Sequence, residues 1–126
     1  MGLKYFLDSN AVIGYFSNDL SNAGTELINN LTPAISVITR IELLSSSKTS
    51  DDELIRLQRF IENASVYNLD EQTILKTIEL RKQYRLKTPD VIIAATAIIN
   101  NSILITRNLK DFDKVEALKL INPFDL

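Results

Sequence analysis

A chain of 126 residues with 45% hydrophobic and 24% charged residues has the make-up of one ordinary soluble globular domain, large enough to bury a core without staples. It contains neither cysteine nor histidine, which excludes disulfide frameworks, thiolate chemistry, the usual zinc sites and Ser-His-Asp catalysis. Carboxylates are left as the only strong general bases or metal ligands, and the formal net charge of −2 argues against bulk polyanion binding while leaving room for local cations to hold nucleic acid.

Met1-Gly2 is followed by Phe6 where a myristoylation signal wants a hydroxyl, and the apolar run beside it is too short for a signal peptide or membrane span. No other run is long enough to span either, so a cytoplasmic protein with no membrane partner is expected. Leu3 to Leu7 reads as a buried strand that ends at Asp8. Asp8 and Ser9 open a helix from Asn10 to Phe16, and after a polar turn a second helix runs to about Asn30. Ala34 to Ile38 is rich in β-branched residues and reads as the second strand. Thr39 and Glu42 have the spacing of a capping box, which places a short helix through Leu44.

Asp51 to Glu62 shows helical spacing, Ser65 to Leu69 suits a third strand, and Asp70 starts a helix that reaches about Arg85. The stretch T-P-D-V-I-I-A-A-T-A-I-I-N, Thr88 to Asn100, is apolar nearly all round and belongs in the middle of the fold, with Thr88 as cap and Pro89 in the first helical position. Ile103 to Thr106 is a fourth strand, Asn108 to Val115 a turn or short helix, and Leu118 to Ile121 an edge strand. Strands alternating with helices indicate an α/β fold with a mainly parallel sheet.

In such folds the ligand crevice lies beyond the carboxyl ends of the strands. Asp8 ends the first strand, Glu42 lies one turn past the second, Asp90 opens the central helix, and Asn108, Asp111 and Asp113 follow the fourth strand. Each has a local alternative. Asp8 can be a helix cap, Glu42 a capping-box member, Asp90 a partner for the helix dipole, and Asp111 and Asp113 parts of a solvated face. Together, converging carboxylates would repel one another strongly unless a hard divalent cation such as Mg²⁺ or Mn²⁺ sits between them. Such an ion can activate water, orient a phosphodiester and stabilise the leaving oxygen. Arg107 is a candidate for steadying a phosphate, and Ser9 and Thr106 carry hydroxyls able to orient a carboxylate. Lys76, Arg81, Lys82, Arg85 and Lys87 form either a solvated helix face or a phosphate-contacting stripe leading to Asp90.

Four stretches, F-L-D-S-N-A-V-I, S-V-I-T-R-I-E-L-L, T-P-D-V-I-I-A-A-T-A and L-I-T-R-N-L-K-D-F, together with the closing I-N-P-F, resemble the PIN-domain ribonucleases and among them the VapC-type toxins of toxin–antitoxin pairs. The resemblance spans the chain in order. It implies a three-layer domain over residues 1–126, with a mainly parallel central sheet of four to five strands flanked by helices. It also implies an endoribonuclease dependent on Mg²⁺ or Mn²⁺, the toxin of a type II toxin–antitoxin system. Asp8, Glu42 and Asp90 would be ligands and catalytic groups, with Asn108 or Asp111 completing the set. An RNA substrate, a cognate antitoxin lying across the cleft and a homodimer are implied with it. Two positions depart from the family pattern: Ser9 stands where threonine is more usual, and Asn108 is an amide where many members carry aspartate. The second departure keeps open a catalytically impaired module that binds RNA or a partner. A receiver-like signalling domain would need Asp70 as phospho-acceptor and Lys110 as its lysine.

Overall fold

Strands of three residues alternate with helices along the chain: β1 (Tyr5–Leu7), α1 (Ser9–Phe16), α2 (Asn22–Asn29), β2 (Ala34–Ser36), α3 (Val37–Leu44), α4 (Asp51–Glu62), β3 (Ser65–Tyr67), α5 (Glu71–Gln83), α6 (Thr88–Ile99), β4 (Ile103–Ile105), α7 (Leu109–Phe112) and β5 (Lys119–Ile121). The structure, a computed structural model, describes residues 3–126, and the reading of Met1-Gly2 falls outside the described residues. β1 pairs with β4, β4 with β5 and β2 with β3, all in parallel. β2 lies beside β1, giving the order β3-β2-β1-β4-β5 with the backbone ladder divided between β2 and β1.

Parallel strands must be buried on both faces, and side-chain alternation shows both faces covered here. On β1, Phe6 points into a cluster with Val91, Ala94 and Phe112, while Leu7 points into another with Val12, Ile35 and Leu43. On β4, Leu104 and Ile105 divide in the same way. Helices α5, α6 and α7 thus cover one face and α1 to α4 the other, which is the expected three-layer arrangement. The continuous apolar run of α6 is explained by its position, since every residue from Val91 to Ala97 is buried.

Several boundaries differ from the sequence reading, each for a local reason. Leu3 is 71% exposed, and β1 begins only at Tyr5. β2 stops at Ser36, whose hydroxyl accepts the Ile38 N–H at 3.0 Å and turns the chain into α3. Val37 and Ile38 are therefore helical despite their β-branched character, and Thr39 sits buried inside α3 instead of capping it. The capping box does not form, so Glu42 is released from that role. Thr88 likewise does not cap α6: it is the first helical residue, behind Lys87, and Pro89 takes the second position. Ser50 and Asp70 do cap α4 and α5, accepting from Glu53 N and Thr73 N. Among the described residues no helix is long and apolar enough to cross a membrane.

Candidate functional site

Because the sheet is parallel, the carboxyl ends of β1 and β4 lie at one edge, and the pairing of Leu7 with Ile105 puts Asp8 next to Thr106. The Asp8 N–H donates to Ile105 O at 3.0 Å and extends the ladder by one rung. Asp8 then serves two roles with its two oxygens. Oδ1 accepts the Ser9 N–H at 2.8 Å and caps α1. Oδ2 accepts the Thr106 hydroxyl at 2.8 Å and the Asn10 side-chain amide at 3.2 Å. The Thr106 hydroxyl in turn accepts the Asn108 N–H at 3.0 Å, which fixes the direction in which it donates. Asp8 is 6% exposed. Burial raises its pKa, the hydrogen bonds from Thr106 and Ser9 pull it back, and the Glu42 carboxylate pushes it up again.

Glu42, freed from capping, is exposed on α3 and accepts the Ser9 hydroxyl at 2.6 Å through Oε1. Ser9 thus ties α1 to α3 and orients the second acid. Asp90, on the first turn of α6, is half-buried. Burial is again the largest cause of its raised pKa, followed by the negative charges of Asp8, Asp111 and Glu42, with Lys87 opposing. The charges of Asp8, Asp111 and Glu42, from three other parts of the chain, therefore act on Asp90 at this edge of the sheet. Among the described residues no three acidic side chains stand close enough together to hold a metal ion as they are, and these carboxylates act on Asp90 through space. Asp111 belongs to this group, while Asp113, exposed beyond Phe112, is not among the charges acting on Asp8 or Asp90. Asn108 stands at the start of α7 and its side chain caps nothing.

The site includes a residue that the sequence reading passed over as the start of a helix. Asn10 donates from Nδ2 to Asp8 Oδ2 and to Thr106 Oγ1, at 3.2 and 3.3 Å, and accepts the Arg107 N–H at 2.9 Å through Oδ1. It joins the loop after β1 to the loop after β4. Its only signal in the sequence is its position two residues after Asp8. Arg107 is exposed at this rim, while Lys76 of the proposed cationic stripe pairs with Glu79 at 2.6 Å, and Arg81 reaches the Thr88 hydroxyl. Asp70 caps α5 and takes no part in the acidic cleft, which removes the acceptor that a receiver-like domain would need.

The donor set is all oxygen, anionic and partly buried, with no sulfur or imidazole available. It suits a hard divalent cation, whose charge would offset the burial and the repulsion that raise Asp8 and Asp90. The PIN-domain family model matches residues 5–118. Ribonuclease VapC2 of Rickettsia felis is 30% identical over 129 residues, covering 94% of this chain and 96% of that protein. The tRNA(fMet)-specific endonuclease VapC of Salmonella typhimurium is 27% identical, over 94% of this chain and 96% of that one. Among solved structures, a toxin–antitoxin complex from Klebsiella pneumoniae superposes with a TM-score of 0.79 at 28% identity, covering 98% of this chain and all of that one.

Proposed function

The chain belongs to the PIN-domain family and, within it, to the VapC-type ribonucleases, and from that premise we propose that Asp8, Glu42, Asp90 and Asp111 are the groups with which it cuts RNA. It is an endoribonuclease dependent on a divalent metal ion and the toxin half of a toxin–antitoxin pair. The observation that carries the residue assignment is the position of Asp90, which lies in the field of acids from three other parts of the chain.

Asp8, Glu42, Asp90 and Asp111 would hold the ion, which we take to be Mg²⁺ or Mn²⁺, and Asn108 could add a neutral oxygen. When bound, such an ion would supply Lewis acidity, activating a water and offsetting charge on the leaving oxygen. The other residues position this set. Thr106 and Asn10 fix Asp8 Oδ2, Ser9 fixes Glu42, and Arg107 offers its donors to a phosphate of the bound RNA. Asp111, whose charge acts on Asp90, supplies a fourth acid where Asn108 does not, which supports an active nuclease over an inert binding module. The cognate antitoxin covers this edge, the chain pairs as a homodimer, and RNA and antitoxin are both met in the cytoplasm. Residues 1–126 form one such domain, a reading supported by the span of the family match.

The test is cleavage by the purified chain of a panel of structured RNAs that includes tRNAs, with Mn²⁺ or Mg²⁺ and with chelator, followed by mapping of the fragment ends. Discrete cuts that need metal are expected, and Asp8→Asn and Asp90→Asn should each slow them on the order of 10²-fold or more. Intact RNA at every metal concentration, or full activity in those variants, would end the proposal.

A further inference from the structure

The closing segment I-N-P-F is built into the rim of the cleft. Ile121 of β5 lies opposite Ile105 of β4, and the Thr106 N–H donates to Ile121 O at 2.9 Å. The residues that follow the two strands, Arg107 on one and Asn122 to Phe124 on the other, therefore leave the sheet side by side. Both described glycines serve to seat this tail. A Cβ at Gly24 would overlap the Pro123 carbonyl, and one at Gly14 would overlap the Phe124 ring. The Pro123 carbonyl accepts the N–H and the hydroxyl of Ser21, each at 3.2 Å, and the Phe124 N–H donates to Asn122 Oδ1 at 3.0 Å.

The ring fixed in this way carries Arg107. The guanidinium carbon lies 4.5 Å from the Phe124 ring centroid, and the Arg107 backbone is held by Asn10 at 2.9 Å. Four carboxylates share this edge of the sheet, yet among the described residues Arg107 forms no ion pair and no side-chain hydrogen bond. Attraction to an aromatic face holds a guanidinium without consuming its N–H donors, which stay available for phosphate oxygens. A cation held in place before binding also loses less freedom when RNA arrives.

We infer that Phe124 is a positioning residue for RNA: its ring, seated on Gly14, presents Arg107 to a phosphate next to the one that is cut. The inference rests on the ribonuclease reading. It is tested by cleavage kinetics of wild type, Phe124→Leu, Phe124→Tyr, Arg107→Ala and the Phe124→Leu/Arg107→Ala double variant, each first checked by thermal melting. Phe124→Leu should raise KM about two- to fivefold with little change in kcat, and Phe124→Tyr, which keeps the ring, should restore it. Arg107→Ala should raise KM at least as much and lower the slope of log KM against log salt by about one. The double variant should match Arg107→Ala, because Phe124 acts through Arg107. An unchanged KM in Phe124→Leu, an unchanged salt slope in Arg107→Ala, or additive effects in the double variant would overturn the inference. If Phe124→Leu does not melt cooperatively, Phe124→Met, of similar volume and without a ring, replaces it with the same expectations. A wild type that cuts no RNA would refute the ribonuclease reading instead, so the two failures are distinct.

Discussion

Replacing Asp90 by asparagine separates a metal-site acid from a helix-dipole partner by the sign of a stability change. In the folded chain the Asp90 carboxyl is raised from its ordinary pKa, first because it is half-buried and then because Asp8, Asp111 and Glu42 repel it. The ionised form therefore costs folding free energy at neutral pH. That cost is present above the raised folded pKa and absent below the unfolded one. Burial and the three repulsions, set against one attraction to Lys87 and discounted for solvent screening, cost on the order of 0.5–1 kcal/mol. Asp90→Asn without metal should thus melt about 2–5 °C higher than wild type. Were Asp90 mainly complementing the α6 dipole, the same change would forfeit about 0.3–1 kcal/mol and lower the melting temperature. Differential scanning calorimetry in chelator and in Mn²⁺ reads both. Wild type should gain about 2.7 kcal/mol at a Mn²⁺ concentration of 100 times Kd while the variant gains much less, so the order of stabilities reverses. A variant less stable than wild type in chelator would refute the reasoning.

Asn10→Ala removes the link between the loops after β1 and β4. It should lower stability by about 1–2 kcal/mol and weaken Mn²⁺ binding by roughly tenfold, as measured by melting and calorimetric titration, and a variant that binds Mn²⁺ normally would show that the loops hold themselves. Asp8 and Asp90 are both raised from the ordinary aspartate pKa, so as pH falls Mn²⁺ affinity should decline at a higher pH than unshifted aspartates would give, and calorimetric titrations across pH check it. The Thr39 hydroxyl is buried with no hydrogen-bond partner among the described residues. Thr39→Val should therefore be neutral or stabilising by up to about 1 kcal/mol in denaturant unfolding, whereas a clear loss would mean that the hydroxyl is bonded in solution.

The parts of this molecule legible in its sequence are those written in local periodicity. The apolar run of α6, the helical spacing of α4 and the helix start at Asp70 all lead to elements where they are expected. Where two residues compete for one local role, the tertiary context decides. Ser36 and Thr39 can each cap α3, and Ser36 prevails because Thr39 is drawn into the core, a choice invisible from spacing. The acids could be placed at one sheet edge from the parallel topology alone. Their partners could not, because the pairing of Leu7 with Ile105 and of Ile105 with Ile121 brings together residues about a hundred positions apart or in a tail without periodicity. Asn10 and Phe124 come into view only through that register.

The central claim is that four distant acids form one cation site, and calorimetric titration of Mn²⁺ into wild type, Asp8→Asn, Glu42→Gln, Asp90→Asn, Asp111→Asn and an Asp113→Asn control tests it most directly. Each of the first four substitutions should weaken binding on the order of tenfold or more, while the control binds as wild type does. If Asp8→Asn, Glu42→Gln, Asp90→Asn and Asp111→Asn all retain wild-type affinity, the acids do not act as one site and the account fails.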